Sequence, residues 1–223
     1  MDFDRDKIKA IFFDLDGTLC YLNGAFGELF KNVCSPVLEE NPSISLEEVL
    51  DSFSKALAIE GHSTAELALQ RAFLSLDVRK PYDYENLGRE FNSQHAKQVR
   101  LFDGAENILL ELHKIYKLVL ITNGPQDTQQ EVVDTLGLGD KFDLIVISGD
   151  EKVGIRKPDT RIFQLALDVL GIPASDTVMI GNNPETDLSG ASALGMKTIL
   201  VKNEPGIEYE ESITRIAKLF LKE

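Results

Sequence analysis

The chain has 223 residues, of which 43% are hydrophobic, and 23 basic against 37 acidic residues give it a formal net charge of −14. Its length suits one domain with an inserted subdomain, and its composition is that of a globular protein rather than a disordered chain. The negative charge would repel nucleic acid and anionic membranes, so we expect any anionic ligand to be small and held by local positive groups.

Hydrophobic patterning divides the chain into a first strand, a helical stretch and a long alternation. The short apolar run at 8–13 predicts a buried strand. Apolar residues then recur at helical spacing between Leu46 and Leu57 and between Ala65 and Leu76. From about Phe102 the predicted elements are helix 105–112, strand 118–121, helix 126–136, strand 144–147, helix 162–170, strand 178–180, helix 188–194, strand 198–201 and helix 209–221.

This order of elements predicts an α/β fold. Alternating strands and helices need parallel crossovers, which produce a Rossmann-like, doubly wound parallel sheet with helices on both faces. The helical stretch interrupts the alternation directly after the first strand, so we interpret it as an inserted all-helical cap. We expect a catalytic core of residues 1–20 and 100–223 and a cap of residues 21–99.

Polar residues follow four of the predicted strands. In a parallel sheet these strand ends meet at one edge, which is where such sheets bind their ligands. In chain order the residues are Asp14 and Asp16, then Thr122 and Asn123, then Arg156 and Lys157, then the run from Asn182 to Asp187. We therefore expect one site built from residues that lie far apart along the chain.

The acidic residues in this set predict a metal-dependent reaction. Two unit charges about 4 Å apart interact by roughly 4 kcal/mol at an effective dielectric near 20, so Asp14, Asp16 and Asp187 together would resist another anion. Oxygen ligands in a wet, acidic cleft suit Mg²⁺. With the charge neutralised, a carboxylate can attack phosphorus and form an aspartyl-phosphate, while Lys157 and the Thr122 hydroxyl position the phosphoryl group.

The motifs, taken together, resemble those of a known family. Asp14-Leu15-Asp16-Gly17-Thr18, Thr122-Asn123, Lys157-Pro158 and the run 181–187 are similar to the four ordered motifs of the haloacid dehalogenase superfamily, over nearly the whole chain. The helical insert after the first motif resembles the superfamily branch that carries a helical cap. The second and third motifs resemble its small-molecule phosphatases, of the nucleotidase-like and acylneuraminate-phosphate phosphatase-like kinds.

The resemblance implies a role for each catalytic residue. Asp14 would be the nucleophile. Asp16 would protonate the leaving oxygen and then activate the water that hydrolyses the aspartyl-phosphate. Thr122, Asn123 and Lys157 would bind the phosphoryl group of a small phosphorylated metabolite.

A Mg²⁺ site is also implied by the resemblance. The ion would bind Asp14, the main-chain carbonyl of Asp16, and the fourth-motif residues Asn182 and Asp187. Most members of the family carry an aspartate where this chain has Asn182, which removes one negative charge from the site. We therefore expect weaker Mg²⁺ binding, with Glu185 as the nearby acid that could compensate.

The leading prediction is a magnesium-dependent phosphomonoester hydrolase. A 2-haloacid dehalogenase uses the same kind of nucleophile without a metal, but those family members lack an acid at the position of Asp16. A phosphosugar mutase shares all four motifs and differs mainly in its cap, so it stays open. Asn182 suggests a further alternative, a catalytically weak module that binds phosphorylated ligands.

The cysteines and the first residues of the chain indicate a cytoplasmic protein. Cys20 and Cys34 form no Cys-x-x-Cys pair, a pattern that favours free thiols in a reducing compartment over a disulfide framework or a zinc site. Residues 1–7 lack the apolar core of a signal peptide, and no apolar run is long enough to span a bilayer. We expect no membrane partner.

Overall fold

The computed structural model of the protein describes residues 5–203, 212–213 and 218–221. Most of the helix predicted over 209–221 lies outside these described residues. The elements in chain order are β1 (Ala10–Phe13), β2 (Cys20–Leu22), α1 (Phe26–Glu40), α2 (Leu46–Leu57), α3 (Ala65–Ser75), α4 (Tyr84–Gln98), β3 (Val99–Leu101), α5 (Ala105–His113), β4 (Lys117–Thr122), α6 (Gln126–Thr135), β5 (Leu144–Ile147), α7 (Thr160–Leu170), β6 (Thr177–Gly181), α8 (Ser189–Ala193) and β7 (Lys197–Leu200).

Five of the strands form one parallel sheet in the order β5-β4-β1-β6-β7, with β1 at its centre. Phe13 of β1 pairs with Leu120 of β4 and Ile180 of β6, so the three central strands end at nearly the same level. Every residue of β1 is buried, as expected for a strand with both faces covered. The predicted α/β fold is confirmed, and the carboxyl ends of the strands form one edge.

Both faces of the sheet are packed against helices. Successive side chains of a strand point to opposite faces, so Phe13 and Leu120 join one hydrophobic cluster while Phe12 and Val119 join the other. The first cluster includes α5 and α6, and the second is completed by α7, where Phe163 is fully buried. These two clusters cover both faces of the sheet up to the strand ends.

Helices α1 to α4, called the four-helix unit below, have a hydrophobic core of their own. Its centre is a set of three rings, in which the centroids of Phe30 and Phe53 lie 4.7 Å apart and those of Phe53 and Phe91 lie 5.4 Å apart. Gly88 lets α4 approach α3, because a Cβ at this position would lie 2.7 Å from the main-chain nitrogen of Glu66. The unit therefore packs as a separate body inserted after β1.

A short antiparallel ribbon joins the four-helix unit to the sheet. It pairs β2 with β3, with Cys20 opposite Leu101. The sequence patterning did not predict these two strands, because each has only three residues and is too short to show a period of two. Within the residues that the structure describes, no helix is both long and apolar enough to cross a membrane.

Hydrogen bonds fasten the four-helix unit over the carboxyl edge of the sheet. The loop before α3 is bonded to core loops, with Ser63 N donating to Gly149 O over 3.0 Å and Gln126 N donating to Ser63 O over 2.8 Å. The Asp127 carboxylate, on α6, accepts from the main-chain nitrogen of Ala65 over 2.9 Å and from Asn92 Nδ2 over 2.8 Å. The strand ends consequently lie beneath a helical cover.

Candidate active site

Asp14 lies at the centre of this edge, directly after β1. Its main-chain nitrogen donates to Ile180 O over 3.0 Å, and the residue is only 6% exposed. Gly17 then turns the chain with φ of +81°, a left-handed conformation that glycine adopts without strain. The turn returns Thr18 to the strand end, where its hydroxyl donates to Asp14 Oδ2 over 2.9 Å.

Lys157 is a buried cation shared by two carboxylates. Its Nζ lies 2.5 Å from Asp14 Oδ1, 2.8 Å from Asp187 Oδ1 and 2.9 Å from Ile121 O, so each of its three protons has an acceptor. Burial by itself would lower the pKa of Lys157, but the Asp14 and Asp187 carboxylates outweigh burial and raise the pKa. Lys157 therefore stays charged at the base of the site.

Burial raises the pKa of the Asp14 carboxyl to about 6. The Lys157 ammonium opposes this rise, whereas the negative charges of Asp187 and Asp16 add to it. Asp14 is consequently an ionised carboxylate above neutral pH, with one oxygen on a cation and the other on a hydroxyl. Such a group can act as a nucleophile when a reacting atom is brought to it.

Asp187 reaches this cluster from the segment after β6. Its Oδ1 accepts from Lys157 and its Oδ2 accepts from Asn183 N over 2.9 Å, so both oxygens are occupied by protein donors. Gly181 makes the approach possible, because a Cβ at Gly181 would lie 2.5 Å from both the Cβ and Oδ2 of Asp187. The residue is only 2% exposed, which makes Asp187 the fixed counter-ion of Lys157.

Asp16 is exposed and its carboxylate is held by a residue that the motifs did not reveal, Gln129. The buried Gln129 Nε2 donates to Asp16 Oδ2 and to Thr122 Oγ1, both over 2.8 Å. A signal was present in the sequence. Gln129 lies on the same helical face as Val132 and Val133, so a polar residue in this inward-facing stripe indicated a buried polar contact.

Thr122 is the last residue of β4 and Asn123 follows it, on the side of Asp14 opposite β6. Thr122 is 1% exposed and belongs to the strand itself. The Asn123 side chain exchanges two hydrogen bonds with the main chain of Lys157, each over 2.9 Å, with Nδ2 donating to Lys157 O and Oδ1 accepting from Lys157 N. Asn123 therefore positions the segment that carries Lys157.

Asn182 and Asp14 present oxygen atoms on the same side of the site. The Thr18 hydroxyl lies 3.2 Å from Asn182 Oδ1 as well as beside Asp14 Oδ2, so these two oxygens converge. In the part of the chain that the structure describes, no three Asp, Glu, His or Cys side chains are grouped as a metal site. A set of oxygen ligands that contains only one or two carboxylates still fits Mg²⁺, because this ion keeps several water molecules as its remaining ligands. Glu185 does not line the cleft.

A cleft of about 280 Å³ brings the predicted site residues together. Its lining residues are Asp14, Asp16, Thr122, Asn123, Arg156, Lys157, Asn182, Asn183, Thr186 and Asp187. Arg156 is half-buried and its guanidinium donates to the main-chain oxygen of Leu57 at the end of α2, so it also fastens the four-helix unit to the core. All seven residues predicted from the motifs thus share one cleft.

Comparison with known proteins identifies the family of this chain and similar folds. Residues 8–195 match the haloacid dehalogenase-like hydrolase family. The chain is 32% identical over 218 residues to N-acylneuraminate-9-phosphatase of Mus musculus, covering 90% of this chain and 84% of the relative. It is 31% identical over 198 residues to a pyrimidine 5'-nucleotidase of Escherichia coli, covering 86% and 85%. A solved HAD phosphatase from Thermococcus onnurineus is similar with a TM-score of 0.66 and 23% identity, over 95% of this chain and 97% of that one.

Proposed function

Because the chain belongs to the haloacid dehalogenase-like hydrolases and is a phosphatase, we propose that it hydrolyses phosphomonoesters of small metabolites, with Asp14 as the nucleophile and Mg²⁺ as the cofactor. The match of residues 8–195 to this family confirms the resemblance seen in the sequence motifs. The observation that carries the proposal is the position of Asp14, a buried carboxylate held between the Lys157 ammonium and the Thr18 hydroxyl at the base of the cleft.

In the first step, a carboxylate oxygen of Asp14 attacks phosphorus. The new bond forms as the bond from phosphorus to the leaving oxygen breaks, which yields an aspartyl-phosphate and an alcohol. Thr122 Oγ1 accepts from Gln129, which leaves its own hydroxyl proton available to donate to a phosphoryl oxygen. The Lys157 ammonium, 2.5 Å from Asp14, offsets the negative charge that gathers at the reacting centre.

Asp16 supplies the proton transfers in both steps. Its carboxyl lies exposed in the cleft, and it donates a proton to the leaving oxygen as the alcohol departs. The resulting carboxylate then takes a proton from a water molecule as that water attacks the aspartyl-phosphate. Phosphate is released and the Asp14 carboxylate is regenerated, so the cycle leaves the protein unchanged.

Asp14, the Asp16 carbonyl, Asn182 and Asp187 are the residues that would hold Mg²⁺. When bound, the ion supplies positive charge that lets an anionic phosphate approach a site rich in carboxylates. Asp187 has a second role as well, because its Oδ1 accepts from Lys157 and so holds that ammonium beside Asp14. A neutral amide at Asn182 in place of a carboxylate predicts weak Mg²⁺ binding.

We further propose that residues 21–99 act as a cap and that residues 1–20 and 100–223 form the catalytic core. The hydrogen bonds from Ser63 to Gly149 and from Asn92 to Asp127 support the role of a cap, because they join the four-helix unit to a core loop and to α6. A closed cap excludes water and strengthens each electrostatic interaction in the site.

The test is phosphate release from p-nitrophenyl phosphate and a panel of phosphorylated metabolites at several Mg²⁺ concentrations. We expect Mg²⁺-dependent turnover that the Asp14→Asn variant abolishes. The matched control is Asp168→Asn, which alters an exposed carboxylate on α7 and should retain activity. Phosphate release that survives Asp14→Asn would contradict the nucleophile assignment, and chloride release from 2-chloropropionate without metal would indicate a dehalogenase instead.

A further inference from the structure

A second cavity, of about 170 Å³, opens between the four-helix unit and the sheet. It shares Asp16 and Asn123 with the catalytic cleft, so the two spaces are contiguous at the residue that meets the leaving oxygen. We call it the ring pocket. A phosphate in the cleft would direct its leaving group into this pocket, because Asp16 lies on the boundary between them.

The helical wall of the ring pocket is aromatic. Phe26 and Phe53 both pack against Phe91, with ring centroids 6.1 Å and 5.4 Å away and interplanar angles of 85° and 66°. His95 lies nearly parallel to Phe91, with centroids 5.7 Å apart and an interplanar angle of 15°. Phe53 and Phe91 are almost fully buried by this packing, and the rings together form an apolar wall of the pocket. Leu57 completes this wall.

The charge of the ring pocket disfavours anions. Of the described residues that line it, none is Lys or Arg, and Asp16 is the one carboxylate. A leaving group with its own carboxylate would lose water against phenylalanine rings and would find no cation among these lining residues to pair with. Burying a charge without a partner is strongly unfavourable, so this pocket discriminates against acidic leaving groups.

One polar atom in the ring pocket lacks a protein partner. His95 Nδ1 is buried and makes no hydrogen bond within the described residues. Burial lowers the pKa of His95, and the nearby Asp16 carboxylate opposes the change without reversing it, so the imidazole is neutral near pH 7. A neutral imidazole nitrogen accepts or donates one hydrogen bond, and buried polar atoms normally have a partner. His95 lines the ring pocket but Nδ1 has almost no accessible surface, so a ligand with a polar edge would supply this partner once the imidazole turns toward the pocket.

We propose that the ring pocket selects phosphomonoesters whose leaving group is a single flat, uncharged ring with a hydrogen-bonding edge, an inference that rests on the proposed function. The ring would lie among Phe26, Phe53 and Phe91, and its polar edge would meet His95. Pockets that bind drug-sized ligands measure roughly 300–1,000 Å³, so a cavity of about 170 Å³ suits one ring rather than a larger leaving group. Acidic and polyhydroxylated leaving groups would be poor substrates.

Three probe substrates with similar primary alcohol leaving groups test this assignment, namely benzyl phosphate, 4-carboxybenzyl phosphate and glycerol 3-phosphate. We expect kcat/KM for benzyl phosphate to exceed that for each of the other two by at least tenfold. A neutral 4-carbamoylbenzyl phosphate should be as good as benzyl phosphate or better. His95→Phe, which keeps a flat ring beside Phe91 but has no hydrogen-bonding nitrogen, should lower kcat/KM for 4-carbamoylbenzyl phosphate relative to that for benzyl phosphate.

A change of charge in the pocket makes the test independent of simple loss of function. Leu57 is only partly buried, and Leu57→Arg should raise kcat/KM for 4-carboxybenzyl phosphate relative to benzyl phosphate by at least fivefold. Leu57→Gln is the matched neutral control and should leave the preference for benzyl phosphate in place. Far-UV circular dichroism and thermal melts of both variants verify that each is folded.

The outcomes separate the two proposals. Turnover of glycerol 3-phosphate equal to or better than that of benzyl phosphate overturns the ring pocket and leaves the hydrolase intact. A preference of the native protein for 4-carboxybenzyl phosphate over benzyl phosphate also overturns the ring pocket and leaves the hydrolase intact. Absence of turnover for every probe, with p-nitrophenyl phosphate included and Mg²⁺ saturating, overturns the proposed function and the ring pocket together.

Discussion

Replacing Lys157 with methionine should destabilise the protein by about 3 kcal/mol. The substitution leaves Asp14 and Asp187 buried without the cation that they share. Lys157 Nζ lies 2.5 Å from Asp14 Oδ1 and 2.8 Å from Asp187 Oδ1, so these two oxygens are at most about 5.3 Å apart. Two unit charges about 5.3 Å apart repel by about 3 kcal/mol at an effective dielectric of about 20. Removing one partner of a buried ion pair typically costs about 3–5 kcal/mol, which agrees.

Urea unfolding of the native protein and of Lys157→Met measures this cost. Without the ammonium, the pKa of the Asp14 carboxyl, which burial already raises to about 6, rises further above its unfolded value because the lowering effect of Lys157 is lost. The stability deficit should therefore be largest at pH 8 and shrink toward pH 5 as a carboxyl takes up a proton. The double variant Lys157→Met/Asp187→Asn should recover part of the loss, because it removes one of the two charges.

Lys152→Met is the matched control, since Lys152 is exposed and lies in the same loop. It should change the free energy of unfolding by less than about 0.5 kcal/mol. A deficit for Lys157→Met below about 1 kcal/mol, or one that is insensitive both to pH and to the second substitution, would refute charge neutralisation as the role of Lys157.

Three further predictions concern other contacts. Gln129→Leu removes a hydrogen bond to the charged Asp16, worth about 1.5–3 kcal/mol, so kcat/KM should fall by about 10- to 100-fold. The melting temperature should fall as well, because the buried Thr122 hydroxyl loses its donor, and unchanged kcat/KM would exclude a positioning role. Asp127→Ala removes acceptors between α6 and the four-helix unit, and urea unfolding should show a loss of about 1–3 kcal/mol. Burial raises the pKa of Cys34 to about 12 and that of Cys20 well above its usual value, so at pH 8 Ellman's reagent should react slowly with the native protein and rapidly in urea. Rapid labelling of the native protein would contradict this burial.

The sheet was predictable because its strands are buried on both faces and read as short apolar runs. The strand expected at 144–147 is observed as Leu144–Ile147, and the strand expected at 118–121 lies within Lys117–Thr122. The four-helix unit was predicted as helical, but α1 and α4 were not resolved as separate helices. In α4 the inward face includes Gly88 and Asn92, which weakens the apolar period that marks a helix.

The sequence by itself determined which residues share the site, because polar groups placed after parallel strands must meet at one edge. Asp14, Lys157 and Asp187 were assigned to that edge from their positions alone. Only the tertiary structure decided how they are paired, since a contact between residues 14 and 157 depends on how the helices pack against both faces of the sheet. The same packing brings Gln129 to Asp16 and places the ring pocket beside it, and no local spacing in the chain encodes either contact.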